Sequence, residues 1–262
     1  MLTLRRQSLK GLGMGLAAAA LASTGTAGTA HASTSAPLVP ARAKTLDAFT
    51  VQLARAPRRR DYKTVPMILN NRDQWDAEAL DAVLHYAGGP KQSWDNTDIA
   101  GPWLNVMRNA MNSQIWSFGH PDFLCVSATH GSAQLALYDD AMWEKYGLAK
   151  VAGGAITRNS FVAAPAAASA NPADYENTNG AFSPRANSIQ TLQRRGAVFL
   201  ACHNAVWELC ERLIGSGVNP DHLGPEAMCA ELSNHVIEGV VITPGAVGTL
   251  VELASAGFSY AR

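Results

Sequence analysis

The chain has 262 residues, 47% of them hydrophobic and 16% charged, which is enough to bury one sizeable core and seldom calls for a second domain. Its 21 Lys and Arg residues equal its 21 Asp and Glu residues. That balance leaves no electrostatic footprint for nucleic acid, and no nucleic-acid partner is expected.

Residues 1–32 run from a basic start through a mildly apolar Ala- and Gly-rich centre to a small-residue end, the layout of an export signal. Arg5-Arg6-Gln7-Ser8-Leu9 resembles the twin-arginine signal, which makes the twin-arginine translocase a transient partner. Ala30-His31-Ala32 suits cleavage before Ser33, giving a periplasmic or extracellular product. The apolar run from Leu12 to Ala22 falls short of the roughly 20 residues of a spanning helix, so no stable membrane anchor is expected. Loss of Arg5, Arg6 and Lys10 leaves 18 basic against 21 acidic residues, a net charge of −3.

Residues 33–60 read as a flexible linker that starts with Ser, Ala and Pro, and Arg55 and Arg58 to Arg60 as its solvated end. A single domain then spans 61–262. "KTVPMILN", from Lys63 to Asn70, has the composition of a first strand. "WDAEALDAVLHYA" places Trp75, Ala79, Leu80, Val83 and Leu84 on one helical face. "KQSWDNTD" reads as a polar linker with Trp94 at an opening. "PWLNVMRNAMNSQIWSF" starts a helix with Pro102 in the favoured first turn.

"FLCVSAT" is a second strand leading into His130-Gly131-Ser132, with a helix expected from about Ala133 through "LALYDDAMWEKYG". Residues 152–187 lack either period and are loaded with Ala, Pro, Asn and Gly, which predicts a long surface excursion or lid. "SIQTLQRRG" is a helix that stops at Gly196, "AVFLAC" is a strand, and "NAVWELCERLIGSG" is a helix. "EGVVITPGAVGTLVELASAGFSYA" supplies strand, turn, helix and a short last strand. The alternation argues for an α/β fold, a mostly parallel sheet with helices on both faces, whose ligands sit beyond the carboxyl ends of the strands.

Four stretches carry a family likeness: "SATHGSAQLAL", "LQRRGAVFLACHNA", "VVITPGAVGTLVEL" and "AGFSYA". Together they resemble the DsrE/DsrF-like family over about Lys63 to Tyr260. The resemblance implies a flavodoxin-like fold, a homo-oligomer, and transfer of sulfane sulfur as a cysteine persulfide, with a small sulfur-containing molecule or thiol acceptor as partner. The family often has Cys-Gly-Asn-Thr where this chain has Cys202-His203-Asn204-Ala205. The chain departs from the family at His203 and in being exported.

Cys202 falls where a strand gives way to a helix, so N–H groups of the first turn are expected to face its sulfur and lower its pKa. His203 would add positive charge or take a proton. His130, Gly131, His203 and Asn204 are the expected pocket residues around catalytic Cys202, because neighbouring strand ends share one sheet edge. The competing reading is an oligomeric, non-catalytic protein binding a small ligand or metal, with Cys202 as packing.

Cys125 lies inside an apolar strand and Cys210 on an apolar helix face, while Cys210 with Cys229 is the one disulfide left open. No CxxC, HxH, HxxxH or HExxH spacing occurs, so Cys202, His203 and His130 have no metal-type spacing, and neither metal nor cofactor is expected. Ser127 and Ser132 lack a GxSxG elbow. "TPGAVGT" lacks Walker spacing and any Lys, which leaves a plain strand-to-helix turn.

Overall fold

The computed structural model describes residues 37–162 and 171–262; the segment read as an export signal and the first residues of the linker lie outside them. Five strands form one sheet: β1 (Lys91–Asn96), β2 (Leu124–Thr129), β3 (Val198–Cys202), β4 (Val241–Thr243) and β5 (Ser259–Ala261). All pairings are parallel, in the order β4-β3-β2-β1-β5. Helices α1 (Lys44–Arg55), α2 (Ala77–Leu84), α3 (Trp103–Asn112), α4 (Asp140–Lys145), α5 (Leu148–Val151), α6 (Ile189–Arg194), α7 (His203–Gly215), α8 (Pro225–Asn234) and α9 (Ala246–Ser255) surround it.

Side chains alternate across the sheet, as the two-residue strand period requires. Cys125, Phe199, Ala201 and Ile242 face a layer containing Met107 of α3, Trp143 of α4, Leu209 of α7 and Leu232 of α8. Leu124, Val126, Leu200 and Val241 face Phe49 of α1, Val83 of α2 and Leu253 of α9. Burial on both faces is why β2 and β3 read as unbroken apolar runs. The protein is thus an α/β layer of flavodoxin-like type, and among the described residues no helix is long and apolar enough to cross a membrane.

Connections from β1 through β4 pass over the first layer, whereas α9 returns over the second and delivers β5 beside β1. The adjacent strands β3 and β4 therefore send their following helices to opposite faces. A crevice opens at the carboxyl ends of such a strand pair, the position where open α/β sheets bind ligands. Cys202 and Thr243, the last residues of β3 and β4, are register partners there.

The structure corrects several expectations. Residues 37–60 are not a flexible linker: α1 buries Leu46 and Phe49, and the Asp122 carboxylate caps its start by accepting the Thr45 and Leu46 N–H groups at 2.9 Å each. Gly196, at φ 93°, makes room for this helix, since a Cβ there would stand 2.9 Å from Leu46 Cδ2. The arginines are not a solvated run either. Arg60 pairs with the fully buried Asp76 at 3.1 Å, Arg59 pairs with Glu78 at 2.8 Å, and Arg58 donates to the Leu53 and Ala56 carbonyls at the end of α1.

Lys63 to Asn70 forms no strand. It crosses the molecule as an irregular strap with Met67 and Ile68 exposed, because Pro66 has no N–H to give a ladder. The first strand is the polar stretch from Lys91, paired on both sides between β2 and the edge strand β5. Two of its buried polar side chains are satisfied across the sheet: Asn96 Nδ2 donates to Ser127 Oγ at 2.8 Å and Ser93 Oγ to the Ser259 carbonyl at 3.3 Å.

The helix expected from Ala133 is a 3-10 stretch, Gly131–Leu137, separated from α4 by an extended Tyr138 that bridges to Val236. The excursion at 152–187 runs over the surface for much of its described length and is anchored to the core at a few points. Asn159 Nδ2 donates to the Ala136 and Tyr138 carbonyls, Phe161 packs on Trp103, and Ala181 and Phe182 are buried.

Candidate functional site

Cys202 is both the last residue of β3 and the N-cap of α7, with extended dihedrals of φ −90° and ψ 113°. Its N–H donates to Gln134 Oε1 at 3.0 Å. Its Sγ accepts the Ala205 N–H at 3.4 Å and the Ala246 N–H at 3.1 Å. One sulfur thus occupies the electropositive ends of both α7 and α9, filling the place a Ser or Thr oxygen takes in an ordinary cap. Gly245 permits the close approach, because a Cβ there would fall 2.7 Å from Asn204 Nδ2.

The expectation of a lowered Cys202 pKa is corrected. Burial, with 4% of the residue exposed, pushes the thiol above its ordinary value, and the N–H groups of Ala246, Ala205 and Asn204 pull the other way without overcoming it. Desolvation of a charge outweighs a few partial charges when the group is this enclosed. The resting group is a thiol whose anion has donors already in place.

Beside it lies a cleft of about 40 Å³ lined by Gly131, Ser132, Gln134, Ala205, Glu208 and Arg212 among others. Cys202 is not in its wall, but Gln134 and Ala205, both hydrogen-bonded to Cys202, are. Space on this scale holds a small inorganic species rather than a drug-sized ligand. Gln134, 1% exposed, links the Cys202 backbone to the cleft, and only its place in "HGSAQ" after β2 marks it in the sequence.

The other expected pocket residues part company. Gly131 lines the cleft, and its φ of 56° puts a would-be Cβ 2.6 Å from the Thr97 carbonyl oxygen, so glycine is required. Asn204 stands over Gly245 between α7 and α9. His203 turns away from Cys202, since consecutive residues in a helical first turn diverge. It is 1% exposed, its Nε2 donating to the Pro66 carbonyl at 2.8 Å and the Met67 carbonyl at 3.2 Å, with Nδ1 4.0 Å from Cys229 Sγ. Both Nε2 partners are acceptors, which places the N–H on Nε2.

His130 is engaged on the β1 side of the edge, where its Nε2 meets Asp95 Oδ1 at 2.6 Å and Tyr260 donates to Asp95 Oδ2 at 2.8 Å. Burial raises the Asp95 pKa, yet hydrogen bonds from His130 and Tyr260 outweigh it and hold the carboxyl below its usual range. This Tyr260-Asp95-His130 chain escapes sequence reading because Asp95 and Tyr260 are joined only by the parallel pairing of β1 with β5.

Cys125, Cys202, Cys210 and Cys229 are all buried free thiols. Cys210 of α7 and Cys229 of α8 perturb one another: the Cys229 thiol is pulled below its ordinary value and the Cys210 thiol is pushed above it. Among the described residues no group of three or more His, Cys, Asp or Glu side chains is arranged to hold a metal ion. Compared with known proteins, the chain matches no family model, no curated protein and no solved structure.

Proposed function

We propose that the protein handles sulfane sulfur as a persulfide on Cys202, the reaction its resemblance to the DsrE/DsrF-like family implies. The observation that carries the reading is the position of Cys202 Sγ in the switch-point crevice, where the N–H groups of Ala205 and Ala246 meet it from two helix starts. Such donors stabilise a sulfur anion, whether thiolate or terminal persulfide, within a water-poor site. The cleft beside Gln134 accommodates a small inorganic donor such as thiosulfate or polysulfide.

With thiosulfate, the Cys202 thiolate attacks the outer sulfur, a new Sγ–S bond forms, the S–S bond of thiosulfate breaks, and sulfite leaves with the electron pair. An acceptor thiolate then attacks the outer sulfur of the persulfide and Cys202 departs as thiolate. Because burial raises the resting thiol, loading accelerates toward alkaline pH. The resemblance of Arg5 to Leu9 to a twin-arginine signal supports a location for this chemistry outside the cytoplasm, and the family resemblance supports a homo-oligomer.

A second reading has an observation of its own: at 4% exposure Cys202 also suits a structural cap in a non-catalytic oligomeric protein binding a small ligand or metal. Incubation with thiosulfate or polysulfide followed by peptide mass spectrometry separates the two. One added sulfur atom on the Cys202 peptide, absent in Cys202→Ser, is the expected result. No added sulfur, or sulfur on another cysteine, overturns the persulfide reading in favour of the second.

A further inference from the structure

Burial sets Cys202 a problem that its own hydrogen bonds do not solve. The resting group is a thiol held above its ordinary value, and the persulfide reaction starts only when its proton leaves. The adjacent imidazole, His203, is turned to the Pro66 and Met67 carbonyls. A second imidazole stands at the same sheet edge. It belongs to His130, which follows the last residue of β2 and takes part in a chain of hydrogen bonds that the persulfide reading leaves unused.

Strand register puts the two residues side by side. β2 and β3 pair Ala128 with Leu200 and Thr129 with Ala201, so the next step along the edge sets His130 opposite Cys202. Their faces agree as well. Ala128 and Cys202 pack in one cluster with Ala246, and His130, two residues after Ala128 in an extended conformation (φ −151°, ψ −167°), returns to the face of Ala128. On that face lie the start of α9 and the Cys202 sulfur.

His130 is also oriented as a base. A carboxylate only accepts, so the 2.6 Å contact between His130 Nε2 and Asp95 Oδ1 places the ring proton on Nε2. Nδ1 has no hydrogen-bond partner among the described residues and keeps its lone pair. Burial would raise the Asp95 carboxyl, but the bonds from His130 and from Tyr260, which donates to Oδ2 at 2.8 Å, hold it ionised. The His130 and Asp95 side chains are 20% and 14% exposed, sheltered yet within reach of solvent for proton exchange. An oriented carboxylate on one ring nitrogen stabilises the imidazolium that forms when the other nitrogen takes a proton.

We propose that His130 is the base that takes the Cys202 proton, directly or through one water, with Asp95 and Tyr260 as its positioning residues. The role rests on the persulfide reading and supplies the residue that starts that reaction. The S–H bond of Cys202 breaks, its proton forms an N–H bond at His130 Nδ1, and the electron pair left on sulfur attacks the outer sulfur of thiosulfate as sulfite leaves. After an acceptor thiolate takes the outer sulfur, Cys202 departs as thiolate and recovers the proton from His130 Nδ1. The row Tyr260-Asp95-His130-Cys202 crosses β5, β1, β2 and β3 in the order in which those strands lie in the sheet.

The test alkylates the full chain with limiting iodoacetamide at neutral pH and reads Cys202 by peptide mass spectrometry, beside thiosulfate loading of the same variants. His130→Ala is expected to slow both reactions about 100-fold or more, the usual worth of a general base. Imidazole added in solution is expected to restore part of each rate, which a purely structural loss would not allow. Asp95→Asn and Tyr260→Phe keep the ring and are expected to slow both reactions less, without a response to imidazole. If His130→Ala does not fold, His130→Gln takes its place, since its amide still donates to Asp95 but is no base, and slow alkylation at an unchanged melting midpoint is then the expected result. Equal Cys202 alkylation with and without His130, a loss in His130→Ala that imidazole leaves untouched, or no alkylation of Cys202 in the unaltered protein overturns the proposal. Alkylation that depends on His130 with no sulfur loading instead overturns the persulfide reading and leaves the base in place.

Discussion

The Cys202 sulfur accepts the Ala246 N–H at 3.1 Å, joining the last residue of β3 to the first residue of α9 across the boundary between the two helical layers. The same sulfur accepts from Ala205 in α7. A residue at the end of one strand therefore caps two helices that leave the sheet toward opposite faces. Its chemistry and its structural role are the same pair of hydrogen bonds.

Replacement of Cys202 separates those roles. Cys202→Ala leaves two buried N–H groups without an acceptor and is expected to lower stability by about 1–3 kcal/mol. Cys202→Ser retains an acceptor at a helix start and is expected to lose less than half of that while losing all sulfur loading. Urea unfolding of both variants measures it; equal stability of Cys202→Ala and the unaltered protein would show that the two bonds contribute nothing.

The α/β layering was legible because β2 and β3 are unbroken apolar runs and the helices from Ser188 onward carry strong periods. Strand β1 was not, since its residues Lys91, Gln92, Ser93, Asp95 and Asn96 are polar and its pairing is supplied entirely by β2 and β5. The opposite error occurred at Val65 to Leu69, where an apolar composition serves a strap rather than a ladder. Within the site, the strand-end position of Cys202 followed from the βα alternation. The Ala246 donor did not, because it lies 44 positions further along the chain and only the order of β3 beside β4 brings it in. The direction of the Cys202 pKa depends on burial, which local sequence does not fix.

Asp76 is expected to be the most sensitive charged position in the chain. It is fully buried, pairs with Arg60, and accepts the N–H groups of Arg59 at 2.8 Å and Ile242 at 2.7 Å. These bonds fasten the segment after α1 to strand β4. Asp76→Asn turns an amide donor toward existing donors and leaves Arg60 unpaired, which predicts a loss of about 3–5 kcal/mol. Denaturant titration checks this, and a loss under 1 kcal/mol would mean that the Arg60 pair is already solvated.

Gly131→Ala tests whether the cleft needs its tight turn. At φ 56° an alanine is strained, and its Cβ would stand 2.6 Å from the Thr97 carbonyl oxygen. A stability loss of about 1–3 kcal/mol is expected from the backbone conformation and the clash together. The variant is also expected to load sulfur more slowly, since Gly131 and Ser132 form one wall of the cleft and Gln134 holds Cys202. Unchanged loading with reduced stability would remove the cleft from the reaction path.

The buried Cys210–Cys229 pair predicts a pH dependence whose sign follows from the direction in which each thiol is shifted. The neighbouring Cys210 thiol is the largest cause of a Cys229 pKa lowered to about 6; burial opposes it, and His203 adds to the lowering. Cys210 is correspondingly pushed up by Cys229 and by burial. A thiol lowered on folding contributes stability that is fully present above its unfolded value, about 8.5, and is lost as the pH falls through its folded value. The stability difference between the unaltered protein and Cys229→Ser is therefore expected to shrink from pH about 8.5 to about 6. Cys210→Ala removes the largest cause of the lowering and should move that loss to higher pH. Thiolate ultraviolet absorbance, followed in the same variants, reports the ionisation directly. A stability difference that stays flat across this window, with no thiolate signal at neutral pH, would show that the two thiols are both protonated and merely packed between α7 and α8.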